Sequence, residues 1–231
     1  MGDIGILKQR KPFFIFNHIP KCGGTSLRRS IFDGCTRNAN NYFFNKSIYI
    51  STITHANICV DSDGIGCLST QTRLFVDHSK YMSIEKAFGI DPHKVYRCIT
   101  IRNPIDRIIS HNNFFSNISV EELITDENVF NKFISICGNL MQNYTAMGIT
   151  DSLEIFKKYD FVFNASDSEI SIQKFNQTNP YGFFLQNLYQ NQTKKENKLE
   201  YPKELVSKIE DRIESEIQLY KKICDIWSYN E

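Results

Sequence analysis

Two short stretches hold residues whose types and spacing could do chemistry. The first is HIPKCGGTSL at residues 18–27. It holds a lysine, two glycines and a Thr-Ser pair between an apolar run and a helix-like segment. A strand that turns directly into a helix aims backbone N–H groups and the positive end of the helix dipole at whatever sits in the turn. Gly23 and Gly24 permit close backbone approach and positive φ. Lys21 adds a full charge, and Thr25 and Ser26 add hydroxyls. The sum describes a cradle for a phosphate-like anion. It is not a Walker A loop, because no Gly-Lys-Ser/Thr closes it, and it contains no G-x-G-x-x-G fingerprint.

The second stretch is TIRNPIDRIISHNNFF at residues 100–115. Arg102, Pro104, Arg107 and Ser110 make an R-x-P-x-x-R-x-x-S pattern. Arg102 falls at the end of a strand, where open α/β sheets place ligands. Arg107 and Ser110 lie three apart on the helix that follows. A guanidinium fork and a hydroxyl suit a second, terminal phosphate. Arg107 has an equal claim to a structural ion pair.

The order HIPKCGGTSL resembles the 5′-phosphosulfate loop of sulfotransferases that use 3′-phosphoadenosine 5′-phosphosulfate (PAPS). It looks most like the carbohydrate branch, whose loops are of the PKTGGTS type. Cys22 replaces the usual Thr, keeping the backbone N–H and losing a hydroxyl. The R-x-P-x-x-R-x-x-S stretch resembles the family's 3′-phosphate segment. The resemblance implies Lys21, Cys22, Gly23, Gly24, Thr25 and Ser26 on the 5′ side, and Arg102 and Ser110 on the 3′ phosphate. It implies PAPS as co-substrate, PAP as product and no metal. NQTKKENK (191–198) resembles a loop that closes over the nucleotide, with Thr193 and Lys194 in reach.

Transfer to a hydroxyl needs a general base, and histidine titrates in the right range. There are five histidines. His18 is expected to hydrogen-bond structurally, His93 to lie on the surface and His111 to stand behind the site. His78, in RLFVDHSKYMSIEKAFG, resembles the base segment of uronyl 2-O-sulfotransferases, with Asp77 replacing the usual Gly. His55, in ITHAN, resembles a segment of 6-O-sulfotransferases. Both stay open, with His78 preferred. The acceptor implied is a carbohydrate or another hydroxyl-bearing molecule. The alternatives are a P-loop kinase-like phosphotransferase, or a nucleotide- or glycan-binding module without turnover.

The elements that must position these residues are legible. FFIFN (13–17), VYRCITI (95–101) and FVFNA (161–165) are short apolar runs without alternation, as in strands buried on both faces. SIYISTIT (47–54) and RLFV (73–76) are further strand candidates. Thr25–Phe32 and SIEKAF (83–88) read as helices, 35–47 as an Asn-rich loop, and most of 119–158 as helical. Asn103 and Pro104 are a cap and a first helical residue. Leu205, Ile209, Ile213, Ile217, Tyr220, Cys224 and Trp227 recur at helical spacing. Strands alternating with helices predict an α/β fold: a single P-loop-like domain over 1–231, with a central parallel sheet flanked by helices and a long C-terminal helix.

Bulk properties bound the rest. In 231 residues the net charge is +1, so no global field favours nucleic acid, and any anion site must be local. No run approaches the ~18 apolar residues of a membrane span. MGDIGILKQRKPFFIF lacks a signal-peptide core and a myristoylation motif. The expectation is a cytoplasmic chain, or one from the Golgi lumen if an anchor has been removed. Seven cysteines form no CxxC pair, which predicts free, mostly buried thiols, with a Cys59–Cys67 bridge as the alternative. The N-x-S/T sequons follow from the Asn-rich composition and carry no argument.

Overall fold

The structure is a computed structural model, and it describes residues 11–37, 48–50, 74–77, 81–116, 118–145, 152–182, 184–186 and 201–229. Among these residues five parallel strands form one sheet: β1 (Phe13–His18), β2 (Ile48–Ile50), β3 (Leu74–Asp77), β4 (Val95–Ile101) and β5 (Phe161–Asn164). Their order is β2-β3-β1-β4-β5. β1 is therefore central, with β3 on one side and β4 on the other. The register sets Asn17 against both Asp77 and Ile99, and His18 against Thr100. The chain leaves β1 and β4 side by side at the same sheet edge.

The apolar runs are continuous because both faces are covered. All seven residues of β4 and all four of β5 are buried. On one face Phe14, Phe16, Tyr96, Cys98, Phe161 and Phe163 pack against Leu27 and Ile31 of α1 (Gly24–Arg37). Ile172 and Phe175 of a later helix (Ser168–Thr178) join them. On the other face Ile99, Ile101 and Val162 meet Leu219, Tyr220, Ile223 and Cys224 of the last helix (Glu214–Trp227). A third cluster joins Ile108, Leu123, Phe130, Phe133, Leu205 and Ile209 in a helical layer.

Two segments depart from the sequence expectation. α1 runs on to Arg37, so Cys35–Arg37 are helical, although the Asn-rich run begins there in the sequence. The C-terminal helical segment is divided into Lys203–Arg212 and Glu214–Trp227. Ile213, buried and at φ −121°, forms the joint. Beyond the joint, Glu216 turns inward and accepts from Met141 N at 2.6 Å and Gln142 N at 3.3 Å. Cys22, Cys98, Cys137 and Cys224 are buried and form no disulfide among the described residues; Cys59 and Cys67 lie outside the described residues.

Candidate anion-binding site

The loop after β1 is built from the core outwards. Ile19 and Cys22 are fully buried and pack into the cluster beneath the sheet edge. The Cys22 N–H donates to Ile19 O at 3.2 Å and closes the turn. Cys22 thus faces the core rather than the cradle, and burial pushes its thiol up to about 12. A thiol behaves there as a small apolar group that suits this pocket.

On either side of Cys22 the backbone turns left-handed, at Lys21 (φ 65°) and Gly23 (φ 71°). Glycine takes this region freely, whereas for lysine it is uncommon and strained. Arg102 holds that strained residue in place: its guanidinium donates to the Lys21 carbonyl at 3.2 Å. Gly24 is required for a different reason. A Cβ there would fall 1.9 Å from Cδ2 of His18. The buried His18 ring, parallel to Phe16 at 6.5 Å, fills the space. Gly23 is hemmed in from beneath, since a Cβ on it would lie 3.2 Å from Cβ of Ala165.

The helix ladder begins with Leu27 N–H to Gly23 O at 3.3 Å, so the first-turn N–H groups of α1 lie outside it. No acidic residue stands in that turn. The ends of β4 and β5 are laced to the same edge. Asn103 caps α2 (Pro104–His111), its Oδ1 accepting from Ile105 N at 3.0 Å and Asp106 N at 3.3 Å. The Asn103 N–H donates to Ser166 Oγ at 3.0 Å, and Ser166 N–H donates to Asn164 Oδ1 at 3.0 Å.

Lys21 is half-buried, and its Nζ lies 3.6 Å from the ring centroid of Phe114 and 5.5 Å from that of Phe115. Burial first, and the nearby Arg102 second, lower its pKa to about 8. Among the described residues the site therefore carries two cations at neutral pH, Lys21 and Arg102, from neighbouring strand ends. Ser110 is half-buried on α2. The next residue, His111, has a buried Nδ1 with no hydrogen-bond partner among the described residues. Burial, then Arg107 and Lys21, hold its pKa below the usual imidazole value.

Arg107 does not join the site. It is fully buried, donates to Cys137 O at 2.7 Å and Gly138 O at 2.6 Å, and pairs with Glu216 at 3.6 Å. Its role is the structural one of the two readings. His93 is exposed in its turn. His55, His78, Thr193 and Lys194 lie outside the described residues. Phe114 and Phe115 were not expected. Nothing in their spacing marks them out, since adjacent positions of a helix can share one apolar stripe, as Ile223 and Cys224 do.

The geometry suits an oxyanion: two cations, a glycine turn and a helix N-terminus at the edge where the order reverses around β1. No family model matches the chain, and no curated protein matches it. One similar solved structure is titled "Crystal Structure of Sulfotransferase from Alicyclobacillus acidocaldarius". It is 14% identical, and the alignment covers 97% of this chain and 98% of that one at a TM-score of 0.49. A likeness at that level adds nothing to what the strand order states. Among the described residues no group of His, Cys, Asp and Glu could hold a metal ion, and no helix is long and apolar enough to cross a membrane.

Proposed function

We propose that the chain, acting as a single domain over 1–231, transfers the sulfuryl group of PAPS to a hydroxyl, on a carbohydrate in the first instance. The observation that carries this reading is the adjacency of Lys21 and Arg102, joined by the 3.2 Å hydrogen bond. Two cations at neighbouring strand ends suit a nucleotide with phosphate at two places on one ribose. Lys21, Gly23, Gly24, Thr25 and Ser26 would hold the 5′ group, with Cys22 supporting the loop from below. Arg102 and Ser110 would hold the 3′ phosphate, and Thr193 and Lys194 would close over the nucleotide.

In the proposed step the acceptor oxygen bonds to sulfur as the bond from sulfur to the 5′-phosphate oxygen breaks. His78 takes the acceptor proton, with His55 as the other candidate. Lys21 stabilises the charge left on the departing phosphate. Positioning and electrostatics dominate such transfers. Asp77, the residue before His78, ends β3 and pairs with Asn17 near the end of β1, so the chain leaves β3 at the edge where the loop lies.

The test is transfer from radiolabelled PAPS to a panel of glycans, alcohols and phenols. Labelled product that disappears in Lys21→Ala supports the reading. Magnesium-dependent ATP turnover instead would make the chain a kinase-like enzyme. Tight PAP binding with no acceptor sulfated would make it a binding module.

A further inference from the structure

Phe114 and Phe115 are 63% and 54% exposed, an unfavourable setting for phenyl groups. The turn that carries them is nonetheless firmly built. Residues Asn112–Ser116 form a π-helical turn, an irregularity that recurs at functional sites. Its first residue, Asn112, is fully buried. Asn112 Nδ2 donates to Ile118 O at 2.8 Å and to the Tyr201 hydroxyl at 2.6 Å, and its Oδ1 accepts from Ile118 N at 3.1 Å. This clasp closes the turn from behind and pushes the two rings out. They meet edge to face at 4.8 Å, and Phe115 rests against His111 at 5.0 Å. The face of Phe114 lies under the Lys21 ammonium.

We infer that Phe114 and Phe115 form the acceptor platform of the proposed sulfuryl transfer, and that it selects a hydroxyl carried on a ring with a flat, apolar face. The inference rests on the reading of the loop as a phosphosulfate site. An ammonium gains more from a doubly charged oxyanion than from a phenyl face. Anion binding therefore draws Lys21 off Phe114 and leaves the ring bare, one lysine side chain from the group being transferred. A phenyl face offers no ordinary hydrogen-bonding group. It discriminates by flatness and apolar area, which an aromatic ring or the C–H face of a pyranose supplies and an acyclic polyol does not.

The experiment compares Phe114→Ala, Phe115→Ala, Phe114→Leu and Phe114→Tyr with the parent protein. Each is assayed with labelled PAPS and three acceptors: 4-nitrophenol, methyl β-D-glucopyranoside and glycerol. PAP binding is followed by calorimetry. The alanine variants should lose about tenfold or more in kcat/KM for at least one ring acceptor, through KM, in keeping with the worth of an aromatic contact. Phe114→Tyr should hold the parent value, and Phe114→Leu should fall between. Glycerol turnover should fall far less than turnover of the ring acceptor that suffers, and PAP should bind as tightly or tighter, since Lys21 is released. Whichever ring acceptor suffers names the source of the ring. Equal loss for glycerol, or no loss for either ring, overturns the platform while leaving sulfuryl transfer standing. A parent protein that neither binds PAP nor labels any acceptor overturns both.

Discussion

The guanidinium of Arg102 donates to the main-chain carbonyl of Lys21 across 3.2 Å and 81 positions of sequence. Lys21 is the non-glycine residue of the loop with positive φ. One cation of the site therefore fixes the backbone of the other. A guanidinium has five N–H donors, so this bond leaves most of the fork for a ligand.

Arg102→Ala should remove a charge-assisted contact to the 3′ phosphate and slacken the loop as well. PAP affinity should fall by about 10–100-fold, the range for a hydrogen bond to a charged group. The loss should be much smaller for adenosine 5′-phosphate, which lacks the 3′ group. Arg102→Lys should not restore binding, because a point charge cannot serve carbonyl and phosphate together. Calorimetry with both nucleotides decides.

Lys21 should make nucleotide binding sensitive to alkaline pH. In the empty site it is charged below about pH 8, and a bound anion raises that value. PAP affinity should be flat below pH 8 and decline as pH rises above it, by at most tenfold per unit. Lys21→Arg should abolish the decline. The same group should oppose folding, since its folded pKa lies below the ordinary 10.5. That penalty is full below about pH 8 and fades towards pH 10.5. Lys21→Met should therefore melt higher than the parent at pH 7 while losing turnover, and the difference should vanish above pH 10.5.

The contact between Gly24 and His18 predicts a compensating pair. Gly24→Ala sets a methyl against the buried imidazole and should cost about 1–3 kcal/mol, as overpacking does. His18→Ala in that background should recover part of the loss. A urea-denaturation cycle on the four proteins measures the coupling.

Arg107→Met should destabilise the fold by about 3–5 kcal/mol, because it strands a buried carboxylate. Burial already raises the Glu216 pKa, and Arg107 is the first influence lowering it. Without the guanidinium Glu216 stays protonated to higher pH, so the defect should shrink between pH 7 and pH 5. PAP affinity of the folded fraction should not change.

His78→Ala should lower kcat by about 10²–10⁴-fold, the usual worth of a general base, with PAP binding intact. The parallel His55→Ala measurement is the control. A loss there and not at His78 would reassign the base.

The strands were legible because burial on both faces leaves an unmistakable run: VYRCITI is β4 without a residue of difference. Asn103 and Pro104 were equally plain, since capping chemistry is local. The loop's partners were not. That His18 demands Gly24, and that Cys22 faces inwards, depends on how a strand end meets the next helix. No spacing rule contains that information. The helix joint at Ile213 was hidden for a similar reason. Its apolar periodicity continues through the break, and the break brings a buried Glu216 to Arg107 and the 140–145 helix, contacts set by tertiary packing.

Cys22 gives the loop an internal clock. Its thiol is sealed beneath the turn and pushed up to about 12, so an alkylating reagent reaches it only when the turn lifts from the core. The rate of labelling in native buffer would measure how often the cradle opens, and its slowing by PAP would measure how firmly the ligand holds it shut.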